Sequence, residues 1–271
     1  MSRIEEVTRF LAAFAPLSLA ESWDNVGLLV GDARTEVDSV MTCLTLTADV
    51  AAEAVGRGAG LIVSHHPILF RPVQRLTAET PEGRMLLDLI AARIAVYSPH
   101  TGYDSARAGI NQQLAELLDL VDIKPLRSQA AEGQDEREPS TQLLGAGRHG
   151  QLPTPVTLTE FNRRVKQRLQ IDYLQFVGDA EAVIKRVGIA CGSAVEFMHD
   201  AMAENCEVLL TGEARFHDCL SAAGMGINLV LVGHYASERP GIEQLAVILA
   251  NEFPDLIVWP SEAETDPLHR G

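Results

Sequence analysis

Aromatic residues are scarce in this chain. Phe, Trp and Tyr together make up 5% of it, which leaves little with which to stack the bases of a single strand. Basic residues are also short: 22 Lys and Arg stand against 37 Asp and Glu, a formal net charge of −15. Such a chain repels a phosphate backbone, so nucleic acid is disfavoured as the main partner. Cysteine is limited to Cys43, Cys191, Cys206 and Cys219, with no CxxC pair. Neither a disulfide scaffold nor a four-thiolate zinc site is expected. Long apolar runs are missing too, and none approaches the ~20 residues that span a bilayer. The opening stretch, MSRIEEVTRFLAAFAPL, has acids soon after Met1, no basic leader and no small-residue cleavage site. It reads as an amphipathic helix rather than a signal peptide. The expectation is a soluble, cytoplasmic chain without a membrane partner.

What is present is an ordinary globular composition, 46% hydrophobic and 22% charged over 271 residues. This length admits one large domain or two modest ones. Ile4, Val7, Phe10, Leu11 and Phe14 recur at helical spacing, predicting a helix over 2–15 that Pro16 stops. A β-branched strand at 37–46, an Ala-rich helix at 48–57 ending at Gly58 and Gly60, and a short strand at 61–64 follow. A helix at 82–92, a strand at 94–97 and a helix near 108–119 continue the alternation. Strands alternating with helices imply a mostly parallel sheet. Residues 128–140, SQAAEGQDEREPS, contain no large apolar side chain and read as an acidic linker. Pro153 and Pro155 suggest a turn. Thr157 and Glu160 have capping-box spacing at the start of a further helix.

The alternation then resumes as a repeat. Residues 38–64 and 185–211 share one pattern: a strand ending near a cysteine (Cys43, Cys191), a helix, and a strand that ends in polar residues. The first delivers Ser64-His65-His66 and the second Thr211-Gly212-Glu213. Each half then offers an apolar strand followed by His-x-x-x-acid, His100 with Asp104 and His234 with Glu238. The fold class expected is therefore α/β, with two similar lobes, 1–127 and 141–271, joined by 128–140. Ligand sites in open parallel sheets lie beyond the carboxyl ends of strands, and His65, His66, His100, Glu213, His234 and Glu238 all follow such ends. A mixed imidazole and carboxylate set suits Zn, Mn, Fe, Co or Ni. It offers more donors than one four-coordinate ion uses, which points to two metals sharing a bridge.

Trp23-Asp24-Asn25-Val26-Gly27-Leu28, Ser64-His65-His66-Pro67, His100-Thr101 with Asp104, Thr211-Gly212-Glu213, and Gly233-His234-Tyr235 with Ser237-Glu238 run in order over nearly the whole chain. In these blocks the sequence resembles the type 2 GTP cyclohydrolase I-like family, the Nif-three-like dinuclear-metal proteins. The resemblance implies two α/β lobes with a dinuclear metal site in the cleft between them. It places the metal ligands on His65, His66, Asp104, His234 and Glu238, with Glu238 as the bridge. It also implies two divalent ions per chain and a homo-oligomer, a hexamer in many members. One departure stands out, because the block from Thr211 often continues to a His-His pair and here reads Phe216-His217. Glu213 and His100 are candidate proton-transfer groups, or else partners that orient ligands.

Other signals are weaker. Gly145 to Gly150 matches GxGxxG, but the prolines that follow prevent a helix from opening at once, so it reads as a turn. The run Arg163, Arg164, Lys166 and Arg168 reads as a solvated helix face. Trp23-Asp24-Asn25 reads as a turn closed by Asp24, with substrate contact the competing role. The cysteines read as small buried hydrophobes. The function expected is a metal-dependent hydrolase acting on a nucleotide-like substrate. A non-catalytic metal-binding oligomer with a regulatory or storage role competes with it.

Overall fold

The computed structural model describes residues 2–129 and 144–269. The chain forms two compact units, Met1–Tyr103 with Gly241–Gly271, and Asp104–Pro240. The division thus falls elsewhere than at the acidic segment, most of which (130–140) lies outside the described residues. Residues 241–271 belong with the first unit, because Ile257–Pro260 pairs in parallel with Ser39–Cys43.

The first unit is built on a five-stranded sheet in the order Ile257–Pro260, Ser39–Cys43, Leu61–Ser64, Ala95–Ser98, Gly27–Val30. Every neighbouring pair is parallel except the last. Helix Ala48–Arg57 connects the second and third of these strands. Thr47 caps its start and Gly58, at φ 69°, ends it. Val50, Ala51 and Ala54 bury its inner face against Met41, Ile62, Val96 and Trp259. Each fully buried Val, Ile or Met side chain in this cluster contributes about 1.5–3 kcal/mol. Helix Ile4–Phe14 buries Ile4, Val7 and Leu11, as the opening periodicity predicts.

The second unit has a six-stranded sheet in the order Gln175–Val177, Asn228–Leu231, Val208–Thr211, Val183–Ala190, Arg148–Thr157, Val121–Lys124. Only the pairings of Val208–Thr211 with its two neighbours are parallel. The other three are antiparallel. The mostly parallel character expected of both lobes therefore holds for the first unit, and the second is mixed. Pro153 and Pro155 sit inside strand Arg148–Thr157, not in a turn. The register shifts between Gln151 and Val156, and at such an irregularity a missing amide donor costs no ladder bond. Helix Leu158–Leu169 starts at Thr157, whose hydroxyl accepts from the Glu160 amide at 3.2 Å. The Glu160 carboxylate turns instead to Arg163 and Arg164.

The repeated strand–helix–strand pattern is present in both units: Ser39–Cys43, Ala48–Arg57, Leu61–Ser64 in the first, and Val183–Ala190, Met198–Ala203, Val208–Thr211 in the second. Among the described residues no helix is long and apolar enough to cross a membrane.

Candidate metal centre

In the first unit the histidines gather where three parallel strands end. His65 and His66 continue the sheet past Leu61–Ser64, their amides donating to the carbonyls of Cys43 and Leu44 at 2.9 Å each. The Ser64 hydroxyl donates to the His66 carbonyl at 2.8 Å and the Ser98 hydroxyl to that of His65 at 2.6 Å. The backbone under both rings is therefore fixed. His100 opens the short helix His100–Ser105 directly after Ala95–Ser98. Its φ of 30° lies in the left-handed region, a conformation that needs surrounding bonds to hold it. His65, His66 and His100 offer ring nitrogens all within 4.8 Å of one another. Three imidazoles so close suit a borderline divalent cation, and that donor chemistry fits the metal the sequence implies.

Two of the three rings, those of His66 and His100, are steered from outside. The Thr45 hydroxyl lies 2.7 Å from His66 Nδ1, and Asp24 Oδ1 lies 2.7 Å from His100 Nδ1. Such contacts leave Nε2 for a ligand and fix the ring plane. Asp24 is fully buried at its side chain. Its other oxygen accepts from the Thr101 hydroxyl at 2.5 Å and the Thr101 amide at 3.2 Å. Burial alone raises its pKa, but the bonds from His100 and Thr101 outweigh this and hold the carboxyl at about 2.

In the second unit the donors are one imidazole and its carboxylates. Helix His234–Glu252 follows strand Asn228–Leu231 through Gly233. His234 and Glu238 are one turn apart, with His234 Nε2 3.0 Å from Glu238 Oε2. Glu213 Oε1 approaches the other ring nitrogen at 3.2 Å. The Glu238 hydrogen bond, against the opposing effect of burial, lifts the His234 pKa to about 9. A proton held this way occupies the nitrogen and oxygen a cation would use, so metal uptake here would release it. Glu238 is buried at 3% exposure, whereas the Glu213 side chain is half exposed. Pro240 lies inside this helix, which begins at His234 itself.

Asp104 is held by residues for which the sequence suggested no such task. The Cys191 thiol donates to Asp104 Oδ1 at 3.3 Å, and burial beside Asp104 and Glu238 pushes its pKa well up. Asn111 donates to the Asp104 carbonyl at 3.2 Å and accepts from the Cys191 amide at 2.8 Å. Gly192, at φ +67°, follows, and a Cβ there would stand 2.3 Å from Glu238 Oε1. Its amide donates to the Ser237 hydroxyl at 2.9 Å, which in turn donates to the His234 carbonyl at 2.7 Å. The glycine-rich stretch from Gly145 contributes no phosphate loop. It leads into strand Arg148–Thr157, where fully buried Arg148 donates to Gln112 and to the carbonyls of Ala106, Gly145 and Gly147. Burial lowers the Arg148 pKa to about 10. His217 is exposed on helix Phe216–Met225.

The sequence model of the Duf34/NIF3 (NGG1p interacting factor 3) family matches residues 2–267. A Streptomyces coelicolor protein named GTP cyclohydrolase 1 type 2 homolog is 34% identical, the alignment covering 98% of this chain and 94% of that protein. The Drosophila melanogaster NIF3-like protein 1 is 31% identical over 98% of this chain and 88% of its own length. Among solved structures, a Staphylococcus aureus protein superposes with a TM-score of 0.88 at 29% identity, covering 99% of both chains. With a match over almost its entire length, this chain belongs to the Duf34/NIF3 family.

Proposed function

We propose that the chain is a metal-dependent hydrolase acting on a nucleotide-like substrate, with two divalent cations held by His65, His66, Asp104, His234 and Glu238. The observation that carries the reading is the cluster of three imidazoles in the first unit, each with its backbone or ring fixed by neighbours. The buried His234–Glu238 pair supports it from the second unit. So does the course of the chain, since it passes between units within the two helices that carry the His-x-x-x-acid pairs, at 103/104 and 240/241. When bound, Zn, Mn, Fe, Co or Ni would supply Lewis acidity and acidify water toward neutrality.

The protein's own residues then divide the work. Glu238, with two oxygens in a buried position, would be the bridging ligand. Glu213 orients His234 and, being half exposed, exchanges protons with solvent. His100, tied to Asp24 through Nδ1, presents Nε2 for proton transfer at the substrate. The nucleotide-like substrate rests on the names of the curated relatives, GTP cyclohydrolase 1 type 2 homologs among them. We also propose a homo-oligomer, a hexamer. A stable species of 29.4 kDa in light scattering would refute that.

The test is elemental analysis of the purified full chain and of Glu238→Gln, which keeps the shape and removes the charge. The expected result is two ions in the parent and at least one fewer in the variant, with unchanged circular dichroism. Two tightly held ions in Glu238→Gln would remove Glu238 from the bridge. A metal-loaded protein that turns over none of a nucleotide panel would favour the non-catalytic metal-binding oligomer.

A further inference from the structure

Large aromatic side chains are rare in this chain, yet two of them stand in solvent beside the imidazole cluster. Trp23 is 58% exposed and Phe70 47%. Their ring centroids are 5.9 Å apart with planes at 69°. Trp23 lies 6.1 Å from the His100 ring at 75°, and Phe70 lies 6.5 Å from it at 84°. Three rings nearly perpendicular to one another make an open corner, with the largely covered His100 as its inner wall.

The loops that carry the two exposed rings are fastened down. Asp24, next to Trp23, is bonded to His100 and Thr101. Asn25 donates through Nδ2 to the carbonyl of Leu69 at 2.6 Å, one residue before Phe70. These partly buried polar bonds fasten the loops beside the two rings, while both side chains stay exposed to solvent. This is a costly arrangement for residues with no ligand to meet, because both rings leave apolar surface in water.

We propose that Trp23 and Phe70 are the subsite for the planar ring of the substrate. A nucleobase packs on the Trp23 face, and the sugar-phosphate end points toward the imidazole donors. The proposal rests on the metal-dependent hydrolase reading and adds the residues that recognise the base. A neutral planar ring fits better than a quaternary ammonium, although aromatic corners bind such cations. A cationic head group would be repelled by divalent ions one ring away, whereas a neutral base joined to an anionic group suits both neighbours. Base–aromatic packing of this kind tolerates many bases, because each has a π-face.

The experiment uses the full chain as purified with its metals. Guanosine 5′-monophosphate and ribose 5-phosphate are titrated by calorimetry and by tryptophan emission. The chain has two tryptophans, and Trp259 is 7% exposed with its Nε1 bonded to Glu53, so a quench reports on Trp23. The expected result is that the nucleotide quenches emission and binds about ten-fold or more tightly than the sugar phosphate. Trp23→Ala should lower nucleotide affinity about ten-fold and leave ribose 5-phosphate affinity within about two-fold. Trp23→Phe should recover most of the loss, and Phe70→Ala should show a smaller one. Equal binding of the two probes, binding of neither, or unchanged nucleotide affinity in Trp23→Ala would overturn the proposal. So would a Trp23→Ala variant whose only change is a smaller assembly in light scattering, which would make the corner a contact between copies. Elemental analysis of the same samples separates the two readings. Metal without base dependence sinks the corner alone, and base dependence without metal sinks the hydrolase reading and leaves the corner standing.

Discussion

The two units carry the same strand–helix–strand frame and end it with opposite chemistry. Beyond Leu61–Ser64 the first unit places two imidazoles, and beyond Val208–Thr211 the second places Gly212 and Glu213. Both strand ends are extended by backbone bonds, His65 and His66 to Cys43 and Leu44, Gly212 and Glu213 to Gly192. The next strand in each unit delivers a histidine, His100 or His234, and an oxygen meets its Nδ1: Asp24 in one case, Glu213 in the other. The frame thus fixes where donors stand, and the side chains at its ends decide their charge. The first unit ends its frame mainly in imidazole nitrogens and the second mainly in carboxylates, both donor types that suit borderline divalent cations.

The comparison can be broken most decisively at the imidazoles. Replacing His65 and His66 together with Ala is expected to abolish metal retention, read by elemental analysis after dialysis, with little change in the far-ultraviolet spectrum. Retained metal would mean that the second unit suffices. A milder intervention is Glu213→Gln, which removes the charge facing His234. An orienting partner of this kind typically accounts for about 10–100-fold in metal affinity, measurable by competition with a chelator. An unchanged affinity would show that Glu213 and Asp24 do not play matching parts.

Gly192 occupies the place after Cys191 that Leu44 occupies after Cys43. Leu44 is buried without difficulty, but a Cβ at 192 would meet Glu238 in a left-handed backbone. Gly192→Ala is therefore expected to cost about 1–2 kcal/mol in denaturant unfolding, from the backbone alone, and to weaken metal binding as well.

The smallest effect concerns a feature of the first unit only, the return of the chain to its sheet. Glu53 accepts from the Ser261 hydroxyl at 2.6 Å, the Trp259 indole at 3.1 Å and the amides of Glu262 and Ala263 at 3.0 and 2.9 Å. Burial raises the Glu53 pKa, but these donors together lower it below 4.5. A carboxyl depressed on folding stabilises the protein above its unfolded pKa, and that stabilisation fades as pH falls through the folded value. Glu53→Gln is expected to cost about 1 kcal/mol at pH 7, with the gap to the parent closing below pH ~4.5. A gap that is constant with pH would refute this.

Local signals made much of the frame legible. The strand at 61–64 is an apolar run bounded by Gly60 and the histidines, and the helix at 48–57 ends on Gly58, which adopts the left-handed conformation expected of it. Partners distant in sequence were not legible. Nothing in IVWP says that Ile257 pairs with Ser39, so residues 241–271 read as part of the second half. Likewise, Asp24 reads as a turn residue. It does bond the Asn25 amide at 2.8 Å, but its two stronger duties lie 76 and 77 positions away, on His100 and Thr101. The prolines at 153 and 155 carry a turn signal that a register shift in the strand absorbs. Cys191 and Asn111, which hold Asp104, show no motif. A thiol and an amide become ligand supports only through the fold.

The second unit is one uninterrupted segment set into the first, with both of its junctions inside helices that bear a His-x-x-x-acid pair. This has a consequence for inheritance. An exchange of genetic material that replaced the segment would carry Asp104, His234 and Glu238 away together and leave His65, His66 and His100 behind. Neither parent could tolerate a foreign insert whose first and last turns failed to restore both helices in phase. The two ends of the segment are thus tied to ligand-type residues, Asp104 at one and His234 with Glu238 at the other.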